Sequence, residues 1–403
     1  MDFIQQLNEG YLFFDGAMGS MLQKYGLKPG EGSELQNLSN PEAVISVHQQ
    51  YLEAGADIIT ANTFGAYSLR YDNADDIIEA AANCLQKAIA GMPGKFAALD
   101  LGPTGRLLKP FGDLDFEECH ATFQQAAQCG AKAGVDLILI ETMTDIYELK
   151  TAVLAAKSTG LPVVATMSFD ENGRSLMGSD PECMAVLLEA LQVDALGMNC
   201  GYGPDVFEKL LPMLKTKLPI LLQPNAGLPE MKDGQPFYSL SPEDFAQSVT
   251  RMATKGVRLF GGCCGTTPAH IRAMVEQVAP LSTLWQAPSL PLAASSATKI
   301  VRLEQPLEAY NIPCCTAVDI DDRIDEAIEF EQEGADIVEI FVDSPEDVPN
   351  IQAMVRVPLS LRADNRETLL NAVRLYCGCP LLTNVPQDVS LRASLQALGG
   401  VVQ

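Results

Sequence analysis

A glycine followed by a small or β-branched residue, an aspartate and an apolar run recurs three times in this chain, and it narrows the available folds sharply. It reads Ala54-Gly55-Ala56-Asp57-Ile58-Ile59, then Ala133-Gly134-Val135-Asp136-Leu137-Ile138, then Glu333-Gly334-Ala335-Asp336-Ile337-Val338. Glycine just past a helix takes the left-handed conformation that stops it, and an unbroken apolar run reads as a strand buried on both faces. Each copy is therefore a helix-to-strand junction of a parallel α/β fold. Runs of this kind at 12–14, 58–60, 96–101, 137–140, 163–168, 196–199, 220–223 and 258–260 predict eight strands in the first 280 residues. Helical spacing fills the intervals. The clearest helix opens at Asn40-Pro41, a capping residue and a proline at the first helical position, and carries Val44, Val47 and Tyr51 on one face. Eight strands, each followed by a helix, is the count of a TIM (β/α)8 barrel.

Residues 281–300 are rich in Pro, Ser and Ala and carry no charge before Lys299, which reads as a linker. Beyond it, strands expected near 337–341, 357–361 and 381–383 alternate with helices. The expected organisation is a barrel over 1–280, a linker over 281–300 and a smaller α/β domain of about half-barrel length over 301–403. A chain of 403 residues suits that division, because single cores stop growing near 250 to 300 residues.

Lysine and arginine number 27 against 52 aspartates and glutamates, a formal charge of −25 spread along the chain. A field of that sign repels phosphate backbones, so nucleic acid is a poor partner. The start, Met1 to Gln6, lacks the basic residues and apolar run of a secretory signal, and no run of about 18 apolar residues is present to span a bilayer. A cytoplasmic location is expected. Eleven cysteines there should be reduced, so their clustering points to metal or catalysis before disulfides.

The predicted strands place three of those cysteines together. Cys200 follows the sixth strand, and Cys263 and Cys264 follow the eighth in Gly261-Gly262-Cys263-Cys264-Gly265. Barrel chemistry gathers where strands end, so the three sulfurs can converge over one mouth. Three thiolates around Zn²⁺ leave the fourth tetrahedral place for water or substrate, and their charge suits activation of a bound thiol. A TIM-barrel zinc hydrolase or lyase would use histidine and carboxylate ligands, whereas His48, His120 and His270 all fall in helices or helix starts. Cys84, Cys119, Cys129 and Cys183 also fall in helices and read as buried. Cys314-Cys315 and Cys377-x-Cys379 lack the spacing of a structural zinc pair.

Further polar residues end the other strands: Asp15-Gly16-Ala17-Met18-Gly19, Asn62-Thr63-Phe64, Glu141-Thr142 and Met198-Asn199-Cys200. With Gly261-Gly262-Cys263-Cys264-Gly265-Thr266-Thr267-Pro268 these motifs resemble the homocysteine S-methyltransferase family over roughly residues 1–280. They are most similar to the homocysteine-binding module of cobalamin-dependent methionine synthases. The resemblance implies that Cys200, Cys263 and Cys264 hold zinc and that homocysteine sulfur takes the open position. Asp15 and Glu141 are carboxylates suited to an α-ammonium, backbone N–H groups around Gly16 and Ala17 suit an α-carboxylate, and Thr63 and Asn199 can add neutral hydrogen bonds. Asn225, after the seventh strand, is a further candidate for the mouth.

Methylcobalamin, a methylsulfonium such as S-methylmethionine, or betaine would each suit such an acceptor site as methyl donor. The resemblance favours methylcobalamin. Because the chain has no DxHxxG motif, the cobalamin is expected on a partner, either a corrinoid protein or a separate methionine-synthase module. The competing reading is a zinc-binding subunit that docks a corrinoid protein without catalysis. Residues 320–340 are similar to the opening of the pterin-binding domain that follows this module, which leaves a remnant, a docking surface or a half barrel that dimerises as expectations for 301–403.

Overall fold

The computed structural model describes residues 2–28, 30–232, 235–281 and 287–403. The eight expected strands form one parallel sheet: β1 (Leu12–Phe13), β2 (Ile58–Thr60), β3 (Phe96–Leu101), β4 (Leu137–Met143), β5 (Val163–Met167), β6 (Ala195–Asn199), β7 (Ile220–Gln223) and β8 (Val257–Phe260). β8 pairs with β1 in register Leu12 to Leu259, and a bridge from Phe14 to Ile58 closes the ring. The barrel is therefore complete. A helix follows each strand, including Pro41–Glu53, whose buried face holds Val44, Val47 and Tyr51. Asn40 makes no side-chain capping bond there, so proline at the first position carries that start.

Strand alternation builds the barrel interior. Ile58, Phe96, Ala98, Leu137, Leu139, Val164, Ala195, Leu221 and Leu259 form one buried cluster, to which an N-terminal helix, Phe3–Glu9, adds Phe3 and Leu7. Phe3 meets Phe96 edge to face at 5.8 Å, and burying a ring of that size contributes roughly 1.5–3 kcal/mol. Toward the C-terminal ends of six of the strands the same parity places Thr60, Asp100, Glu141, Thr166, Asn199 and Gln223. An apolar floor and a polar mouth follow from the same alternation.

Beyond residue 300 a second parallel sheet runs in sequential order through β9 (Val338–Phe341), β10 (Leu359–Arg362), β11 (Leu381–Leu382) and β12 (Val401–Val402). β12 was not among the expected strands, because two residues at a chain end carry too little pattern. Helices between the strands cover one face, giving a smaller α/β unit with its own core of Val338, Ile340, Leu359, Leu361, Ala372 and Leu382. The stretch expected as a linker lies outside the described residues over 282–286. Its later part is ordered and buried: Ala293–Ser295 pairs antiparallel with Ile300–Arg302, and Ser295 exchanges backbone hydrogen bonds with Cys379. Lys150, on the helix after β4 (Ile146–Lys157), is wholly buried and donates to the carbonyls of Val373, Tyr376 and Gly378 at 2.8, 2.7 and 3.4 Å. Arg374 pairs with Glu117, and Arg302 with Glu182 at 2.7 Å. Among the described residues no helix is long and apolar enough to cross a membrane.

Candidate active site

At the C-terminal ends of the barrel strands lies a cavity of about 440 Å³ whose wall includes Asp15, Asp100, Glu141, Cys200, Cys263 and Cys264. The three sulfurs lie within 4.8 Å of one another, and Cys200 Sγ is 3.9 Å from Cys264 Sγ. Sulfurs at 2.3 Å around one tetrahedral ion would stand about 3.8 Å apart, so this geometry is already close to a ligating one. Among the described residues it is the one such grouping of His, Cys, Asp and Glu.

The backbone explains the convergence. Cys200 has φ of 61° and Gly201 of 75°, a left-handed pair that turns the chain sharply off β6. The Cys200 N–H donates to the Gln223 carbonyl at 3.1 Å, the Cys263 N–H to Pro224 at 3.0 Å, and the Ala226 N–H to Cys264 at 3.0 Å. Loops six, seven and eight are thus sewn together behind the sulfurs. Thr266 closes the ring toward loop one, since its hydroxyl donates to the Cys263 carbonyl at 2.7 Å and accepts the Ala17 N–H at 3.3 Å. A Cβ on Gly262 would lie 2.4 Å from that hydroxyl, and one on Gly265 would lie 2.1 Å from the Tyr238 ring. Those two glycines are required by close approach.

Tyr238 was not singled out in the sequence. It ends a hairpin, Pro229–Lys232 with Gln235–Tyr238, inserted after β7, and lines the cavity beside Cys264 and Gly265. His270 anchors the base of this insertion: its ring caps the helix Pro268–Val278, and Nε2 meets the Leu240 carbonyl at 3.0 Å. His48 is wholly buried and held neutral by burial, while His120 stacks on Phe116. In the cysteine trio, hydrogen bonds from Cys200 and Cys263 pull the Cys264 thiol down, with the Tyr238 hydroxyl helping. Hydrogen bonds to Cys200 and Cys264, then burial, push Cys263 up.

The other expected site residues divide into two groups. Asp15, Gly16, Ala17 and Glu141 line the cavity. Asp15 accepts from the Thr60 N–H and hydroxyl at 2.9 and 2.8 Å. Glu141 is aimed inward by a bulge in β4, where Thr142 takes φ of 60° and the register to β5 shifts. Thr63 and Asn199 stand behind the wall. The Thr63 hydroxyl donates to the Asp100 carbonyl at 2.8 Å. Asn199 donates to Glu141 at 3.3 Å and to the Thr142 hydroxyl at 2.7 Å, and its oxygen accepts the Thr142 N–H at 2.7 Å. Both were expected to add hydrogen bonds to the substrate, but their side chains are engaged by protein partners and neither lines the cavity. Asn225 is buried with Oδ1 unpartnered, outside the cavity wall. Asp100 and Glu34, which do line it, were missed. Asp100 shares the inward parity of Phe96 and Ala98 and was legible on that ground. Glu34 sits in a loop without periodicity.

Burial pushes Asp15 up to about 7, and burial followed by the charge of Asp15 pushes Glu141 up to about 8. Both stand above their unfolded values of 3.8 and 4.5. The folded state therefore binds these protons more tightly, and the resulting advantage is full below about pH 4 and lost as pH rises through 7 and 8. Metal-free, ligand-free protein is expected to lose roughly 5 °C or more in Tm between about pH 5 and pH 9. Glu141→Gln should remove part of that slope. Differential scanning calorimetry across this range checks it, and a flat profile would refute the assignment.

A family model described as homocysteine S-methyltransferase matches residues 12–278. The chain belongs to the homocysteine S-methyltransferase family. Methionine synthase from Mycobacterium tuberculosis (strain ATCC 25618 / H37Rv) is 33% identical over 303 residues, and that of Mycobacterium leprae (strain TN) is 31% identical. Each alignment covers 69% of this chain and 25% of the relative, so the chain spans about a quarter of those proteins' length. The homocysteine methyltransferase MmuM from Escherichia coli, in its metallated form, superposes with a TM-score of 0.58 at 23% identity over 67% of this chain and 97% of that one. That likeness is one of fold. The family match covers the whole barrel and every loop that contributes to the cavity.

Proposed function

We propose that this protein transfers a methyl group to the thiol of homocysteine, giving methionine, with zinc held by Cys200, Cys263 and Cys264 and methylcobalamin on a partner protein as donor. The observation that carries the reading is the 3.9 Å approach of Cys200 and Cys264 beside Cys263 in a carboxylate-lined barrel mouth. The donor set fits the metal, since three thiolates suit zinc and disfavour harder ions. Zinc bound there supplies a Lewis-acidic position at which a substrate thiol gives up its proton near neutral pH. The three cysteines would hold that position, and Tyr238 lines the cavity beside them. Glu141 and Asp15 supply negative charge for the α-ammonium, while the turn at Gly16 and Ala17 lies beside the α-carboxylate. Asn199 and Thr142 hold Glu141 in place. No general base is needed at the moment of transfer, which agrees with a mouth free of histidine among its lining residues.

The mycobacterial relatives named methionine synthase agree with methionine as product, the motif resemblance to the cobalamin-dependent module favours a corrinoid donor, and three free thiols agree with a cytoplasmic setting. Residues 301–403 then serve as a domain distinct from the methyl-acceptor barrel. The test is a donor screen with homocysteine, comparing free methylcobalamin, S-methylmethionine and betaine, with methionine measured by mass spectrometry. Methionine from methylcobalamin supports the reading. Turnover with only S-methylmethionine or betaine would overturn the corrinoid donor. Zinc-loaded protein that neither binds homocysteine nor releases a proton at neutral pH would leave a docking subunit instead.

A further inference from the structure

Four carboxylates line the cavity, and three of them have partners. Asp15 is held by Thr60, Glu34 accepts the Gly65 N–H at 3.0 Å and faces Arg70, and Glu141 accepts from Asn199. Asp100 differs. It is 6% exposed, and its Oδ1 has no hydrogen-bond partner. A buried carboxylate in that condition is strongly disfavoured when ionised, so the position calls for a ligand that brings a donor and a positive charge.

Placement supports the same conclusion. Phe96, Ala98 and Asp100 alternate onto the inside of β3, as Leu137, Leu139 and Glu141 do on β4, and Leu101 pairs with Ile140. The two carboxylates therefore emerge on neighbouring strands at nearly the same height of the mouth. Thr63 grips the Asp100 main chain from both sides, donating to its carbonyl at 2.8 Å and accepting its N–H at 3.3 Å. The backbone is clamped while the carboxylate is left open. Burial, then the charge of Glu141, raises the Asp100 pKa strongly, as expected where two carboxylates await one cation.

We propose that Asp100 is a direct acceptor for the α-ammonium of the substrate, which sits between the Asp100 and Glu141 carboxylates. This rests on the homocysteine reading above and deepens it: an ammonium brings three N–H donors and one positive charge to two carboxyl groups on one cavity wall, and its charge is what would draw them into the ionised, accepting form. Asp15, with its oxygens engaged by Thr60, then contributes charge from the neighbouring wall. The site selects a thiol that bears a cation near its carboxylate, and it rejects the des-amino analogue.

The test is isothermal titration of zinc-loaded wild type, Asp100→Asn and Asp100→Ser with homocysteine and with 4-mercaptobutanoate, which lacks the ammonium. Wild type should prefer homocysteine, and Asp100→Asn should weaken homocysteine roughly 10- to 100-fold while leaving 4-mercaptobutanoate nearly unchanged. Ligand-free Asp100→Asn should melt no lower than wild type at pH 8, since a buried carboxyl without a hydrogen-bond partner has been replaced by a neutral amide of the same shape. Unchanged discrimination in both variants overturns the proposal even if homocysteine binds well. A lower Tm with both affinities falling in parallel also overturns it, as a purely structural role. Wild type that binds neither thiol refutes the homocysteine reading itself.

Discussion

If Cys200, Cys263 and Cys264 hold zinc as proposed, Cys263→Ser is expected to lose the metal and, with it, methyl transfer. A zinc site of this kind is worth about 10–16 kcal/mol across its ligands, so loss of one thiolate removes on the order of 3–4 kcal/mol, or 10²- to 10³-fold in metal affinity. Serine offers a hydroxyl that stays protonated at neutral pH and cannot replace the thiolate. The surrounding frame should survive, because the bonds that sew the loops together run through the Cys263 N–H and carbonyl rather than its sulfur. Zinc content after dialysis against a weak chelator reads the effect directly, with circular dichroism to show that the fold persists. Cys314→Ser, an exposed cysteine outside the cluster, should keep full metal content. A Cys263→Ser protein that retains stoichiometric zinc and activity would refute the three-thiolate site.

The second large effect is expected far from the cavity. Lys150→Met keeps the aliphatic stem but leaves the Val373, Tyr376 and Gly378 carbonyls without their donor. The first two lie at the C-terminal end of the helix Arg366–Leu375, where a cation also answers the helix dipole. Burial pushes the lysine down to about 8, so at pH 7 it still carries its charge. Unsatisfied carbonyls cost about 1–3 kcal/mol each, and relief of the buried charge offsets part of that, for a net loss of about 2–4 kcal/mol. The loss falls on the contact between the barrel and the second sheet. Calorimetry should show the second unit melting ahead of the barrel, with the zinc content and homocysteine affinity of the intact protein little changed at 25 °C. A single transition at the wild-type Tm would show that Lys150 does not hold the two together.

Much of the barrel was legible because its strands are short, buried and punctuated. Gly55 and Gly134 take φ of 104° and 86° at the predicted junctions, and the apolar runs after them are β2 and β4. The polar rim was legible wherever a motif flanked it, as at Asp15, Glu141 and Cys263. Asp100 was passed over for lack of such a flank, although its inward parity can be counted from Phe96. The hairpin that carries Tyr238 was harder to see, since its strands are four residues each with weak polar-apolar alternation and prolines at 229 and 236. Thr63 and Asn199 were recognised as polar residues near the mouth, but which way each hydrogen bond points depends on neighbours such as Asp100 and Thr142 that are distant in the chain.

The sequence by itself determined the closed parallel barrel, the order of its strands and the identity of three cysteines at two strand ends. Those follow from local chemistry: glycine stops, apolar runs and strand parity. Only the tertiary structure decided that the sulfurs meet at a ligating separation, that Asp100 stands open beside Glu141, and that a buried lysine ties the second sheet to the barrel. Each of these depends on distances between residues tens to hundreds of positions apart, and such distances are set by packing and by backbone hydrogen bonds between loops.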